Sequence, residues 1–123
     1  MSGVLEELEA VTAGCREANW DGYGAAPVRS ESVRSAREFL LALPLGTEAP
    51  TIGAEPDGEV TLEWYRSPRY VLSVSCGATG DLHYAATLGM RKAYGTEPFF
   101  GAAPRIILEI VQDLRLYGKV VAA

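Results

Sequence analysis

The sequence predicts an α+β domain: two N-terminal helices, a three- to four-stranded antiparallel meander, and a C-terminal helix packed on one face of the sheet. Three observations predict it. Apolar residues recur at spacings of three and four near both ends of the chain, the period switches to alternation after residue 50, and the alternating runs are joined by short turns. The chain has 123 residues, 48% hydrophobic and 22% charged. One domain of this size buries enough surface to need neither metal nor disulfide staples. A disordered tail is excluded by the apolar content. No apolar run is long enough to span a membrane, and Met1–Glu9 has no basic leader, so a cytoplasmic location is expected.

Residues 4–18 read as the first helix, with Val4, Leu8, Val11 and Cys15 on its apolar stripe and Glu6, Glu7, Glu9, Arg16 and Glu17 on its other face. The turn chemistry of Asp21–Pro27 ends it. The second helix is expected from Glu31 to Leu43, with Ser30 as N-cap, Val33, Ala36, Phe39, Leu40 and Leu43 facing the core, and Pro44 and Gly46 as stops. Thr51–Glu55 is a short strand candidate, and Pro56-Asp57-Gly58 a turn. In Glu59–Tyr65 the residues Val60, Leu62 and Trp64 alternate with Thr61, Glu63 and Tyr65. After the turn at Arg66–Arg69, Tyr70, Leu72, Val74 and Cys76 alternate with Val71, Ser73 and Ser75; Gly77–Gly80 turns the chain, and Leu82, Tyr84 and Ala86 continue the pattern. The outer face of this sheet should carry Thr61, Glu63, Tyr65, Val71, Ser73, Ser75 and His83. Residues 88–104 show no sustained period and are expected to form a long irregular loop within the single domain 1–123. A last helix from Arg105 to Tyr117 carries Ile107, Ile110, Val111, Leu114 and Tyr117 on its stripe, with Gly118 as its stop.

The net charge is −5, which argues against general nucleic-acid binding. Its distribution is informative. Residues 48–63 contain Glu48, Glu55, Asp57, Glu59 and Glu63 and no Lys or Arg, while acids and bases cancel in the rest of the chain.

Catalytic and metal-binding chemistry is sparse. His83 is the only histidine and is expected to point outward, and nothing in the local sequence suggests a nucleophile or an orienting acid gathered round it. Cys15 and Cys76 have no metal-ligand spacing; Cys15 suits buried packing. No glycine pattern makes a phosphate cradle. The reading is therefore no cofactor, no metal and no catalytic residue. Paired carboxylates in a cleft, served by Tyr84 or His83, make a small hydrolase or ligand-binding enzyme the rival class.

The most distinctive segment is Asn19-Trp20-Asp21-Gly22-Tyr23-Gly24-Ala25-Ala26-Pro27. One reading is a tight corner whose two rings fill the gap between helices and sheet, with Asp21 capping backbone N–H groups and the glycines at positive φ. The other keeps Trp20 and Tyr23 partly exposed as binding anchors. With this corner, the Leu-Pro end of the second helix, and Asp57-Gly58-Glu59-Val60-Thr61-Leu62-Glu63-Trp64, residues 4–86 resemble a group of small bacterial proteins that share a WDGYGA corner and a DG-x-x-x-LEW hairpin. The resemblance implies a bacterial or phage origin and no particular activity.

Beyond it, Arg91, Lys92, Tyr94, Phe99 and Phe100 mix cations and aromatics within ten positions. Packing of Phe99 and Phe100 under the last helix, with Arg91 and Lys92 solvated, is the expected arrangement and a protein contact the alternative; single-stranded nucleic acid is disfavoured, since only two cations stand in an acidic chain. The functional expectation is a non-enzymatic acidic module. Its residues Glu55, Asp57, Glu59, Glu63 and Tyr65 engage a basic surface on another protein, as in an inhibitor of a bacterial toxin or of a nucleic-acid-binding defence complex, in the manner of an anti-CRISPR protein. Trp20, Tyr23, Arg91, Lys92, Tyr94, Phe99 and Phe100 are secondary contact candidates. A third reading is an oligomeric module, a homodimer for example, pairing through residues 98–104 or an exposed strand edge.

Overall fold

The computed structural model describes residues 3–122. Helix α1 (Val4–Gly14) buries Val4 and Leu8, one turn apart on its stripe. It ends four residues before the sequence predicts, because the Cys15 N–H bonds back to the Thr12 carbonyl at 3.0 Å and the chain then leaves the helical path. Helix α2 (Ser30–Ala42) begins with Ser30 inside the helix; Arg29 occupies the cap position in extended conformation, and no side chain caps it. Ala36, Phe39, Leu40 and Leu43 are buried as expected, and Val33 is half-buried against the core.

The sheet has five strands in sequential antiparallel order: β1 (Thr51–Ala54), β2 (Val60–Ser67), β3 (Tyr70–Cys76), β4 (Asp81–Leu88) and β5 (Arg91–Pro98). Helix α3 (Arg105–Ala122) follows and runs through Gly118, which does not stop it. All three helices lie on one sheet face: α1 over β1, α2 over β2 and β3, α3 over β2 to β4. Val60, Leu62, Trp64, Leu72, Val74, Cys76, Leu82 and Ala86 are buried beneath them, with Ile107, Ile110, Val111 and Leu114 from α3.

The irregular loop expected over 88–104 is instead half strand. β5 pairs with β4 along its whole length, from Leu88 opposite Arg91 to Asp81 opposite Pro98. Its inward positions are Arg91, Ala93, Gly95 and Glu97, because among the described residues no helix covers this edge and no apolar stripe is needed there. Gly95 leaves room for the Tyr84 ring, whose hydroxyl would lie 2.9 Å from any Cβ at that position.

Two polar devices fasten the layers. Ser32 of α2 is fully buried; its hydroxyl donates to the Cys76 carbonyl at 2.6 Å and accepts from the Val60 N–H at 2.8 Å, joining the helix to β2 and β3 together. A bulge between Tyr65 and Ser67 re-aims Arg66, which forks onto the Glu48 carboxylate and reaches the Leu114 carbonyl at 3.3 Å. The Trp64 indole N–H bonds the Glu48 carbonyl at 2.7 Å beside it.

Candidate interaction surface

Pleating sends the other set of side chains to a sheet face that carries no helix. Cross-strand register arranges it in rows. Gly53, Thr61, Ser75, His83 and Thr96 form one, Thr51, Glu63, Ser73, Ala85 and Tyr94 the next, and Tyr65, Val71, Thr87 and Lys92 a third. The seven residues expected on the outer face are all there, and β5 adds Lys92, Tyr94 and Thr96. Its centre is built of small side chains, while Tyr65 and Tyr94 stand 56% and 82% exposed toward its sides.

The acidic end of this face is ordered by its own hydrogen bonds. Asp57 Oδ1 accepts the Glu59 N–H at 2.9 Å, the Gly58 N–H donates to the Glu55 carbonyl at 2.9 Å, and the Thr61 hydroxyl donates to Glu55 Oε1 at 2.9 Å. Thr51, Gly53, Glu55, Thr61 and Glu63 border a shallow groove of 170 Å³. Gly53 gives it a bare floor between two carboxylates.

Folding also trims the acidic run. Glu48, counted with it in sequence, is neutralised by Arg66. Arg29, remote in sequence, lays its side chain across Gly58, within 3.2 Å of where a Cβ would sit. Glu55, Asp57, Glu59 and Glu63 remain, with one cation at the turn.

The aromatic corner is joined to that turn. The Ala26 N–H bonds the Pro56 carbonyl at 2.8 Å and the Arg29 N–H bonds the Gly58 carbonyl at 2.9 Å. Gly58 has φ of +94°, and a Cβ there would lie 2.8 Å from the Pro27 carbonyl oxygen, so two glycine-dependent turns interlock. Within the corner, Asp21 Oδ1 accepts the N–H groups of Tyr23 and Ala25 at 2.8 and 3.0 Å, and Asn19 Oδ1 accepts that of Gly24 at 2.7 Å. Gly22 and Gly24 take positive φ, as the sequence predicts, and Asn19 does so as well. The two rings part company. Trp20 is half-buried and donates its indole N–H to the Ala26 carbonyl at 2.8 Å, whereas Tyr23 is 93% exposed and fills no gap. The packing reading holds in part for Trp20 and fails for Tyr23, because Asp21 spends its carboxylate on the loop backbone and turns the next side chains outward.

Phe99 and Phe100 also separate. Phe99 is buried edge-to-face on Phe39 of α2, centroids 5.9 Å apart, while Phe100 is 90% exposed rather than packed under α3. Arg91 and Lys92 are solvent-exposed at the start of β5.

His83 is exposed and its Nδ1 pairs with the Thr96 hydroxyl at 2.9 Å. It stands two strands from Thr61, roughly 10 Å at the ordinary strand spacing, so it is out of hydrogen-bond reach of the Glu55–Glu63 groove. Both cysteines are buried thiols. Burial, with the Glu59 charge adding to it, pushes the Cys76 thiol up to about 12, and burial raises Cys15 as well. Among the described residues no group of three His, Cys, Asp or Glu side chains is arranged to hold a metal, and no helix is long and apolar enough to cross a membrane. Compared with known protein families, curated proteins and solved structures, the chain finds no match.

Proposed function

We propose that the protein is a non-enzymatic interaction module that binds a basic surface of another protein through the helix-free sheet face. One observation carries this reading: Glu55, Glu63 and Tyr65 share that face, with the hydrogen-bonded acidic turn of Asp57 and Glu59 at its end. The groove over Gly53 suits one lysine or arginine side chain of the partner, flanked by two carboxylates. Tyr65 supplies a large contact area at little entropic cost, and exposed Tyr94 and Tyr23 extend the surface. Complementary charge speeds and orients such an encounter. Inhibition of a toxin or of a nucleic-acid-binding defence complex, in the cytoplasm of a bacterium, is the setting this chemistry fits, since such partners present basic grooves.

The test begins with the protein that co-purifies with the tagged chain from its host. Its affinity for the purified chain is then measured against salt, for the native protein and for Glu55→Lys/Asp57→Lys/Glu59→Lys/Glu63→Lys. The charge reversal is expected to weaken binding at least tenfold and flatten the salt dependence. Unchanged affinity and salt slope would overturn the site assignment.

The bare edge of β5 favours a second reading. Among the described residues no helix contacts this eight-residue strand, so its outer backbone groups are open to another strand. Light scattering separates the two: a dimer dissociated by proline in β5 supports edge pairing, a monomer at all concentrations excludes it.

A further inference from the structure

We infer that the seam between α1 and α2 binds a small phosphomonoester with an apolar body. Ser30, Val33, Arg34 and Arg37 fall three and four apart, on one face of α2, while Thr12 lies in the last turn of α1 and Arg16 in the segment that follows its cap residue Cys15. With Val28 they line a cleft of 390 Å³, the size of a small-molecule site. The charge there runs against the molecule as a whole. In a chain of net charge −5, three arginines line one cleft.

Their own protein neutralises them poorly. Among the described residues Arg37 pairs only with Glu9, at 3.7 Å, and its side chain is about half exposed and that of Glu9 mostly so. Among the described residues no carboxylate lies within 4 Å of Arg16 or Arg34. The first turn of α2 adds the positive end of its dipole beside Ser30, and Glu31, the acid of that turn, does not line the cleft. Planar guanidinium forks match phosphate oxygens in pairs, and a phosphomonoester brings nearly two charges and three acceptor oxygens for three arginines to share. A single carboxylate would leave most of those donors unused. Val28 and Val33, half-buried against the core, form an apolar floor that inorganic phosphate would not touch.

The probe is phenyl phosphate, titrated calorimetrically into the full chain at low salt, with inorganic phosphate and benzoate in parallel. Phenyl phosphate is expected to bind saturably at one site and more tightly than either. Arg34→Ala should weaken it about tenfold, the usual loss for a charge-assisted bond, and Arg16→Ala/Arg34→Ala should abolish it, while Arg105→Ala, on α3, leaves it unchanged. Thermal melts verify folding of each variant. Arg34→Lys keeps the charge but not the fork, and should still bind several-fold more weakly. Absence of saturable phenyl phosphate binding at millimolar concentration, equal affinity for the double variant, or equal affinity for inorganic phosphate would each overturn the assignment.

Discussion

The two faces of the sheet are made by one alternating sequence and end in opposite surroundings. Leu72 and Ser73 are neighbours on β3, yet Leu72 is fully buried under the helices and Ser73 lies on the bare face among Glu63, Ala85 and Tyr94. One face is closed by packing and by the bonds of Ser32 and Arg66; the other is left open, with small residues at its centre and tyrosines and acids toward its sides. With the bare face as the proposed contact surface, the contrast separates stability from recognition at the level of adjacent residues. Substitutions can therefore strike one without the other.

The largest effect falls on the covered face. Leu72→Ala should cost about 2–5 kcal/mol in urea unfolding, since the cavity opens between the sheet and the helices that cover it, while Ser73→Ala beside it should stay within about 0.5 kcal/mol. A comparable cost at both positions would mean that the bare face is packed after all.

Next is Cys76, also on the covered face. Its thiol titrates higher in the folded chain than the ordinary value of 9.0, so the neutral form is favoured by folding. Stability is therefore full below pH 9 and falls as pH rises from 9 toward about 12, at roughly 1.4 kcal/mol per pH unit relative to Cys76→Ala. Unfolding followed over pH 8 to 11 in both proteins checks the sign. A native chain that tracks the alanine variant in slope would place water at this thiol.

A smaller loss is expected for Ser32→Ala. It strips partners from the Val60 N–H and the Cys76 carbonyl at once, and should cost about 1–3 kcal/mol without changing the circular dichroism of the folded state.

The same contrast explains what the sequence reveals. Where a strand is covered on one side its alternation is plain, and the positions of β2, β3 and most of β4 follow from Val60 to Ala86. β5 has neither a covering helix nor an apolar stripe, so Arg91–Pro98 reads as irregular. Its one local signal is Gly89-Met90, a two-residue connection with glycine at positive φ in first place. The outer face, including Glu63 and Tyr65, follows from the same period, whereas Tyr94 is lost with its strand. The turn chemistry of the corner is legible in Asp21, Gly22 and Gly24, but the opposite fates of Trp20 and Tyr23 depend on contacts made by residues far along the chain. Charge is the least legible property. Glu48 finds Arg66, Arg29 crosses to Gly58, and Arg16 lines one cleft with Arg34 and Arg37, none of which sequence neighbours announce.

The central claim is that partners meet the bare face, and it is tested most directly by site-specific photocrosslinking in the host. Benzoylphenylalanine is placed at Tyr65 or Tyr94 on that face and at Leu41 on α2, which is 67% exposed in the helical layer. The account predicts one and the same partner adduct from positions 65 and 94 and none from position 41. Adducts from position 41 alone, or equally from all three, would contradict it.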